Sequence, residues 1–449
     1  MNITTDNNIK EIHVREILQM FYPDKYKNIK IKLYLQGNFI YLEYKEKTYK
    51  ERVTLSLKNT TKRLVYKVLQ KETGKSFPYG VLTGVKPINI LNLYSNETIE
   101  EVKKVLSQNY LMYDEKINLL LETKKNQEKL INDKLASLYI HIPFCPKRCS
   151  YCSFPSKILN ETSKELDIYT DCLIKEIKSL KNIIKEKNIF LDSIYIGGGT
   201  PGILKESNLD KLLSNINKYI NIDTEFTFEL GRADLLTKEK LEILKKQRVT
   251  RVCLNPQSMT DEVLINCNRN IKTKDFTEGI KLIKKYGFII NSDLIMGLND
   301  DIESFFEEVN KLVNMDIDNI TIHTLALKRG SALDTIKFEN EDFQNTQKRC
   351  FQLLKNKGYN PYYLYKQKQS LCMGENVGFS KQEKECIYNI KTMKDKSTIL
   401  AIGAGGAGKI YNKSQDKTYR INTTKDTNIY MKNIDSIIKE KEKEYSMYI

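Results

Sequence analysis

The central part of this 449-residue chain alternates strand-like runs with amphipathic helical stretches, and this alternation restricts the fold more than any other feature. Six runs rich in β-branched, aromatic and aliphatic residues are candidate strands, at 137–142, 192–196, 225–230, 249–254, 288–295 and 319–324. Apolar residues recur at helical spacing between them, at 164–187, 206–219, 237–247, 275–286 and 301–315. The alternation predicts βαβ units and a parallel sheet. Right-handed crossovers would curl six such units into a partial (β/α)6 barrel, which binds ligands at the C-terminal ends of its strands.

Two further regions flank this core. Segments 30–44 and 49–57 are predicted strands, with Gly37-Asn38 as a hairpin turn. Helical segments follow at 60–73, 97–108 and 114–134. The C-terminal region combines a helix at 342–357, a Tyr-rich loop at 361–367, a strand at 398–402 and a helix at 427–444. We therefore predict an N-terminal α+β accessory domain (1–134), a core domain (135–340) and a C-terminal α+β region that covers the substrate (341–449).

The formal net charge is +16, from 73 Lys and Arg against 57 Asp and Glu. Residues 1–134 contribute 24 − 16 = +8, residues 135–340 contribute 29 − 29 = 0, and residues 341–449 contribute 20 − 12 = +8. Basic flanks suit an anionic partner such as nucleic acid, a membrane surface or a small polycarboxylate, although a Lys-rich solvated surface is the simpler explanation. Because no five consecutive residues are basic, a dedicated nucleic-acid tail is not expected.

The cysteine usage and the hydropathy pattern indicate a compartment. Nine cysteines, an odd number scattered over a long chain, argue against a secreted disulfide framework. No apolar run approaches the roughly 18 residues that a membrane-spanning helix requires. The first residues lack the basic stretch and apolar block of a signal peptide. We therefore expect a cytoplasmic protein without a membrane span.

Three cysteines within eight residues carry the strongest chemical signal. Cys145, Cys149 and Cys152 form C-x3-C-x2-C directly after the first core strand. Thiolates this close on one loop can converge on a soft metal centre. A structural zinc site normally requires four protein ligands, and His141 on the strand is a candidate for the fourth. A [4Fe–4S] cluster with one open iron suits three cysteines at this spacing.

The segment YIHIPFCPKRCSYC, from Tyr139 to Cys152, resembles the cluster loop of radical S-adenosylmethionine (SAM) enzymes. Within them it is most similar to the oxygen-independent coproporphyrinogen III oxidase (HemN-like) family. Segments similar to the HemZ branch of that family are PYGVLTGVKPINI (78–90), GENVGFSKQEKECIYNI (374–390) and ILAIGAGGAGK (399–409). The resemblance implies a radical SAM partial (β/α)6 barrel at 135–340, with the three cysteines as metal ligands.

The resemblance also implies the cofactors and the chemistry. The cofactors would be a [4Fe–4S] cluster and one or two molecules of SAM. The open iron would chelate the amino and carboxylate groups of SAM. A low-potential donor of the flavodoxin or ferredoxin type would reduce the cluster, which then cleaves SAM to methionine and a 5′-deoxyadenosyl radical. That radical would abstract hydrogen from the substrate.

The family also implies which residues contact SAM. Gly197-Gly-Gly-Thr-Pro201, at the end of the second strand, matches the GGGTP segment that contacts the amino group of SAM. The implied contacts are Tyr139, Tyr151, Gly198, Gly199, Thr200, Glu229, Gln257, Arg269 and Asp293. A zwitterionic sulfonium ligand requires carboxylates for its ammonium and ribose hydroxyls and an arginine for its carboxylate. The positions that match a second SAM are Gln257, Arg269 and Asp293, and no separate catalytic residue is identified.

The chain departs from the family pattern in two places. Gly297-Leu-Asn299 replaces GLP, and Cys267-Asn-Arg-Asn-Ile271 lacks the histidine of the IGRxH segment. The Asn-Arg pair is instead similar to that of the bona fide oxidases. The stretch from Thr321 to Arg329 matches the HemZ branch and places His323 at the end of the sixth strand. These departures leave the substrate geometry open.

A glycine motif near the C-terminus satisfies the G-x-G-x-x-G pattern of dinucleotide sites. Residues Gly403 to Gly408 follow a predicted strand. A dinucleotide fold would continue with an amphipathic helix and an acidic residue about 20 positions further on, but the polar, turn-like KIYNKSQDKTYR follows instead. We expect a tight backbone turn near the substrate rather than an NAD site. His13 is expected to be structural.

By resemblance, we expect an enzyme of haem biosynthesis that converts coproporphyrinogen III to protoporphyrinogen IX by anaerobic oxidative decarboxylation. Hydrogen abstraction from a propionate β-carbon would precede loss of CO2 and one electron. A tetrapyrrole polycarboxylate suits the basic flanks.

Two alternatives stay open. One is a haem-binding chaperone or haem-modifying relative. The other is an RNA-modifying radical SAM enzyme, which predicts steep salt dependence of nucleic-acid binding. No second cysteine cluster and no recognisable RNA-binding module supports the latter.

Overall fold

A computed structural model of the chain describes residues 3–23, 25–220, 225–326 and 340–448. Lys328 and Arg329, which belong to the HemZ-like stretch, lie outside the described residues. The chain divides into two compact units, Met1–Lys125 with Leu364–Lys368, and Asn126–Tyr363 with Gln369–Ile449. The division into three functional domains stays a prediction.

The first unit is built on a four-stranded sheet. Its strands are β1 (Ile3–Thr5), β2 (Ile31–Gln36), β3 (Phe39–Tyr44) and β4 (Lys47–Arg52), in that spatial order. Its helices are α1 (Glu11–Phe21), α2 (Leu57–Thr73), α3 (Ile99–Tyr110) and α4 (Asp114–Glu128), of which the last three residues belong to the second unit. β1 is parallel to β2, and the other two pairs are antiparallel. The predicted hairpin is present, with Gly37 at φ +56° in the left-handed region.

One boundary in this unit differs from the prediction. The strand predicted at 49–57 ends at Arg52, and α2 begins at Leu57. Ser56 caps the helix, because its side chain accepts a hydrogen bond from the N–H of Asn59 at 3.1 Å. The helix ends at Gly74, whose φ of +69° suits glycine. The cap, rather than the apolar run, therefore fixes where the helix starts.

The second unit contains the remaining elements, except that Leu364–Lys366, at the end of one strand, belong to the first unit. Its strands are β5 (Ala136–Ile142), β6 (Phe144–Cys145), β7 (Lys157–Ile158), β8 (Leu191–Gly198), β9 (Glu225–Gly231), β10 (Arg251–Leu254), β11 (Ile289–Met296), β12 (Asn319–Thr324), β13 (Asn360–Lys366), β14 (Glu375–Ser380), β15 (Ile399–Ile402), β16 (Ala407–Asn412) and β17 (Lys417–Asn422). Its helices are α5 (Lys164–Glu186), α6 (Glu206–Tyr219), α7 (Lys238–Lys246), α8 (Asp261–Asn266), α9 (Thr273–Lys285), α10 (Ser304–Asn314), α11 (Asn340–Asn356), α12 (Ile387–Met393), α13 (Thr427–Lys432) and α14 (Ile434–Tyr448). Short 3-10 helices of the two units lie at Tyr26–Asn28, Pro87–Tyr94, Pro201–Ile203, Ala233–Leu235 and Leu371–Met373.

Six parallel strands form the centre of the large sheet. They lie in chain order, β5-β8-β9-β10-β11-β12, and each pairs in parallel with the next. They are the six predicted strands, and helices α5, α6, α7, α9 and α10 lie between them in the chain as predicted. The predicted α/β arrangement with six parallel strands is thus confirmed. Because the strands are parallel, their C-terminal ends share one edge.

The C-terminal region extends this sheet on both sides. β15 adds in parallel to β5 and continues into β16 and β17, whereas β14 adds antiparallel to β12 with β13 beyond it. The loop predicted at 361–367 is wrong, because Tyr362 and Tyr363 are buried and their segment forms β13. Pro361 fits there because β13 is an outermost strand of the described sheet. The single helix predicted at 427–444 is interrupted at Asn433, between α13 and α14.

A buried ion pair closes the N-terminal ends of the parallel strands. The guanidinium of Arg251 lies 3.1 Å from a carboxylate oxygen of Glu225, and both side chains are buried. Arg251 also donates to the carbonyls of Lys384 and Glu385, and Glu225 accepts from the N–H of Ile387 at 3.0 Å. This network fixes the start of α12 against the sheet.

None of the described helices is long and apolar enough to cross a membrane.

Candidate functional site

The three-cysteine loop begins at the C-terminal end of β5. Cys145 and Cys149 are buried and Cys152 is partly buried. Burial raises the pKa of the Cys152 thiol, and the other two thiols are close enough to raise it further. As they stand, no three His, Cys, Asp or Glu side chains in the described ranges are gathered at metal-binding spacing. The loop thus brings the three sulfur atoms into one neighbourhood.

The glycine triplet packs directly against the entry to this loop. The N–H of Gly199 donates to the carbonyl of Ile142 at 2.8 Å, and the N–H of Thr200 donates to that of Phe144 at 2.7 Å. A Cβ atom on Gly199 would lie 2.5 Å from the Phe144 carbonyl oxygen. The hydroxyl of Thr200 lies 3.3 Å from the Cys145 sulfur. Glycine is therefore required here for close backbone approach, and the motif positions the first cysteine.

Glu229 lies at the end of β9 beside the triplet. Its carboxylate accepts hydrogen bonds from the Tyr195 hydroxyl at 3.0 Å and from the N–H of Gly198 at 3.2 Å. Burial raises the pKa of Glu229 to about 7, and the Asp293 carboxylate contributes in the same direction. A carboxyl group with this pKa can hold or release a proton near neutral pH.

Arg269 holds the other end of the cysteine loop. Its buried guanidinium donates to the Tyr151 hydroxyl at 3.1 Å and lies 3.8 Å from the Cys149 sulfur. It also donates to the carbonyl of Gly231 at 3.0 Å and to that of Asn255. The arginine predicted as a SAM contact is thus also a brace for the loop.

Gln257 and Asp293 meet where β10 and β11 end. The backbone N–H of Gln257 donates to the Asp293 carbonyl at 3.0 Å, and Gln257 has φ +68°. Its buried side-chain oxygen has no hydrogen-bond partner among the described residues. The Asp293 carboxylate lies 3.5 Å from Nε2 of His323 on β12. The order of the strands therefore gathers these three residues at the predicted edge.

Three stacked tyrosines line the same interior. Tyr139 and Tyr195 face each other in register on β5 and β8, and Tyr388 of α12 stacks on both. Ring centroids are 5.4 Å apart for Tyr139–Tyr388 and 4.4 Å for Tyr195–Tyr388. Sequence reasoning selected only Tyr139. Tyr195 could have been identified from the sequence, because it stands two residues before the glycine triplet on the same strand. Tyr388 could not, because α12 is distant in sequence and no periodic pattern points to it.

His141 is fixed by the glycine turn near the C-terminus. Its Nδ1 is hydrogen-bonded to the carbonyl of Ala404, and burial lowers the pKa of the ring. Tyr169 donates its hydroxyl to the His141 carbonyl at 2.8 Å and accepts from the N–H of Ala404 at 2.8 Å. The turn continues directly into β16 and not into a helix. The expected tight turn is therefore present, and it lies against the strand that leads to the cysteine loop.

These residues fit a site that holds an iron–sulfur cluster and SAM. Three thiols on one loop supply the ligands that such a cluster requires. A buried amide oxygen without a partner is unfavourable, so Oε1 of Gln257 suits a ligand that donates a hydrogen bond. Glu229, Arg269 and Asp293 supply charges of both signs, as a zwitterionic ligand requires. The roles of the individual residues stay predictions.

Comparison with known protein families agrees with this fit. Residues 139–313 match the model of the Radical SAM superfamily. That range contains the cysteine loop, the glycine triplet and the residues Glu229, Gln257 and Asp293. The superfamily uses a [4Fe–4S] cluster with SAM, so both predicted cofactors are confirmed at the level of the family.

Similarity to individual proteins shows which family within the superfamily the chain resembles. The chain is 32% identical over 402 residues to the oxygen-independent coproporphyrinogen-III oxidase-like protein HemZ of Bacillus subtilis, covering 86% of this chain and 80% of that one. It is 29% identical to the heme chaperone HemW of Buchnera aphidicola (subsp. Schizaphis graminum), covering 70% and 82%. The structure of coproporphyrinogen III oxidase (HemN) from Escherichia coli shares the fold, with a TM-score of 0.56 and 20% identity over 68% of this chain and 70% of that one. This chain therefore belongs to the radical SAM superfamily and, within it, to the family of oxygen-independent coproporphyrinogen-III oxidase-like proteins.

Proposed function

We propose that this protein converts coproporphyrinogen III to protoporphyrinogen IX by anaerobic oxidative decarboxylation. The observation that carries the proposal is the similarity to the HemZ protein, which extends over 86% of this chain. In this proposal residues 135–340 hold the cofactors, residues 341–449 cover the substrate and residues 1–134 are accessory. The tetrapyrrole and its four carboxylates would approach from the edge where the parallel strands end.

The cofactors would lie at that edge. Cys145, Cys149 and Cys152 would hold the [4Fe–4S] cluster, with SAM beside it. When bound, these groups supply a one-electron cleavage that produces the hydrogen-abstracting radical. Arg269 would keep the cysteine loop in place through its bonds to Tyr151 and to backbone carbonyls.

The remaining polar residues would bind and orient SAM. The carboxylate of Glu229 would take the ammonium group, which favours its charged form and so lowers its raised pKa on binding. The unpartnered amide oxygen of Gln257 would accept a hydrogen bond from the ligand. Asp293, beside His323, would accept from ribose hydroxyls. The stacked rings of Tyr139, Tyr195 and Tyr388 would exclude water from the interior.

The test is an anaerobic assay. The protein is reconstituted with iron and sulfide and supplied with dithionite, SAM and coproporphyrinogen III, and the products are followed by mass spectrometry. We expect substrate-dependent 5′-deoxyadenosine and a tetrapyrrole that has lost two CO2. Cys149→Ser should abolish both, whereas Cys372→Ser, outside the loop, should retain them. SAM cleavage without decarboxylation would keep the radical SAM assignment and reject this substrate.

The HemW similarity supports a second candidate, a haem chaperone. Such a protein would keep the cluster and bind haem without forming a vinyl product. Absorbance titration with haem, run beside the decarboxylation assay, separates the two. Stoichiometric haem binding with no decarboxylated product favours the chaperone.

A further inference from the structure

The four-stranded sheet of the first unit has one face that its own helices cover. Helices α1 and α2 pack against the sheet, and Leu33, Ile40 and Leu42 are buried on that side. Because side chains alternate along a strand, the residues between them point to the opposite face. That opposite face carries three aromatic rings beside basic side chains.

The pairing register arranges the opposite face in three rows across β2, β3 and β4. The rows are Lys32–Glu43–Thr48, Tyr34–Tyr41–Lys50 and Gln36–Phe39–Arg52. We call these nine residues the aromatic face. Six of them are exposed, and Tyr34, Tyr41 and Glu43 are half-buried.

Aromatic rings occupy the centre of this face. Tyr34 and Tyr41 stack with nearly parallel planes, at a centroid distance of 5.2 Å and an interplanar angle of 4°. Phe39, in the next row, is 37% exposed. Two rows on one strand lie about 7 Å apart, so a flexible chain of flat groups could place successive rings over successive rows.

Cations border the rings. The ammonium of Lys32 lies 5.3 Å from the Tyr34 ring centroid, and that of Lys50 lies 5.6 Å from the Phe39 ring centroid. Arg52 faces Phe39 across the ladder. Glu43 is the single carboxylate of the nine residues and pairs with Lys32 at 3.2 Å. The aromatic face therefore carries a net positive charge beside stacking rings.

We propose that the aromatic face binds single-stranded nucleic acid, whose bases stack on Tyr34, Tyr41 and Phe39 while Lys50 and Arg52 contact phosphates. Exposed aromatics on a sheet with bordering cations are the means by which single strands are bound with little sequence preference. The sequence lacks a basic tail, but strand pairing assembles cations that are scattered in the chain. A tetrapyrrole is the less fitting occupant, because small flat ligands are usually enclosed in concave pockets whereas this face is open.

The test measures binding of a fluorescein-labelled oligouridylate of about 12 nucleotides to the full-length protein by anisotropy, at about 50 mM salt. We expect Tyr34→Ala with Tyr41→Ala to weaken binding roughly tenfold or more, since each stacked base contributes substantially. Lys50→Gln with Arg52→Gln should weaken it several-fold and reduce the slope of log affinity against log salt by about 1.4. Tyr34→Phe keeps a stacking ring and should stay within about twofold of the wild type.

A matched control comes from the second unit. Tyr219 also lies beside lysines, with the ammonium groups of Lys178, Lys181 and Lys218 each within 5.8 Å of its ring centroid, but no second ring stacks on it among the described residues. Tyr219→Ala should leave binding unchanged. Circular dichroism confirms that each variant is folded, and Lys50→Gln with Arg52→Gln tests the face if the double alanine variant unfolds.

Three outcomes would overturn the proposal. They are the absence of saturable oligonucleotide binding by the wild type, a loss of affinity in Tyr219→Ala equal to that of the face variants, and an oligonucleotide affinity that the face variants leave unchanged. A coproporphyrin titration identifies the competing occupant. If the face variants abolish tetrapyrrole binding and leave oligonucleotide binding intact, the face is a tetrapyrrole dock. None of these results depends on SAM cleavage, so they are separable from the proposed decarboxylation.

Discussion

The backbone N–H of Gly198 donates a hydrogen bond to Oε2 of Glu229 at 3.2 Å, which ties the ends of two neighbouring parallel strands together. The Tyr195 hydroxyl holds the other carboxylate oxygen at 3.0 Å. These donors favour the charged carboxylate, but burial and the nearby Asp293 oppose it more strongly. The pKa of Glu229 therefore rises from 4.5 to about 7.

This raised pKa predicts that stability falls with pH. The unfolded carboxyl group loses its proton near pH 4.5, whereas the folded one keeps it until about pH 7. The free energy of unfolding should thus decline between these values and then level off. Glu229→Gln should remove on the order of 3 kcal/mol of that decline, measured by urea unfolding across the pH range. Exposed Glu262→Gln should follow the wild type. An unchanged decline in Glu229→Gln would contradict the prediction.

The contact between Gly199 and Phe144 gives a second prediction. A methyl group at residue 199 would meet backbone atoms of Phe144 at 2.5 to 3.0 Å, and backbone cannot move aside easily. Gly199→Ala should therefore displace the cysteine loop and lower the iron bound after reconstitution by about half or more, in a fold otherwise retained. Gly84→Ala is the matched control, because nothing lies within 4 Å of its Cβ position. Iron content equal to the wild type would show that the loop tolerates the change.

Much of this arrangement follows from local sequence. The six parallel strands could be predicted because each is a short apolar run between amphipathic helices, and their boundaries agree with the structure to within two residues. Pairing in chain order then brings Glu229 and Asp293 to one edge. The same logic fails for β13, because the run of tyrosines around Tyr362 carries no alternation that separates a strand from a loop. Burial against the sheet, which is a tertiary effect, decides its structure.

The site was only partly predictable for the same reason. The cysteines and the glycine triplet are contiguous motifs, so the sequence displays them directly. Tyr388 reaches the interior because a network around Arg251 fixes the start of α12, and that network joins residues more than 130 positions apart. The bracing of Cys149 by Arg269 likewise depends on two loops that meet only in the folded chain. Contacts of this kind leave no spacing rule in the sequence.

The buried pair of Arg251 and Glu225 gives a third prediction. Removing one partner leaves the other charge buried without compensation. Arg251→Met should lower the free energy of unfolding by about 3–5 kcal/mol, measured by urea denaturation. Arg251→Met combined with Glu225→Gln should be less destabilised than the sum of the single variants, because the two are coupled. The exposed pair of Lys246 with Asp210 is the control, and Lys246→Met should change stability by less than about 1 kcal/mol. Additive effects in the double variant would refute the coupling.

Arg269 gives the fourth prediction, which tests whether charge or geometry matters beside Cys149. Arg269 donates to Tyr151, Gly231 and Asn255 at once, and a lysine cannot reproduce these divergent bonds although it keeps the positive charge. Arg269→Lys should therefore lose stability by roughly 1–3 kcal/mol, since buried acceptors are left without donors.

The same variant should release iron faster after reconstitution, observed as decay of the cluster absorbance under a chelator, because the loop is no longer braced. Arg148→Lys, on the same loop but exposed, is the matched control and should behave as the wild type. If Arg269→Lys retains both stability and cluster lifetime, the charge alone is sufficient and the bracing geometry has no role. If stability falls while the lifetime is unchanged, Arg269 supports the fold without positioning the cysteine loop.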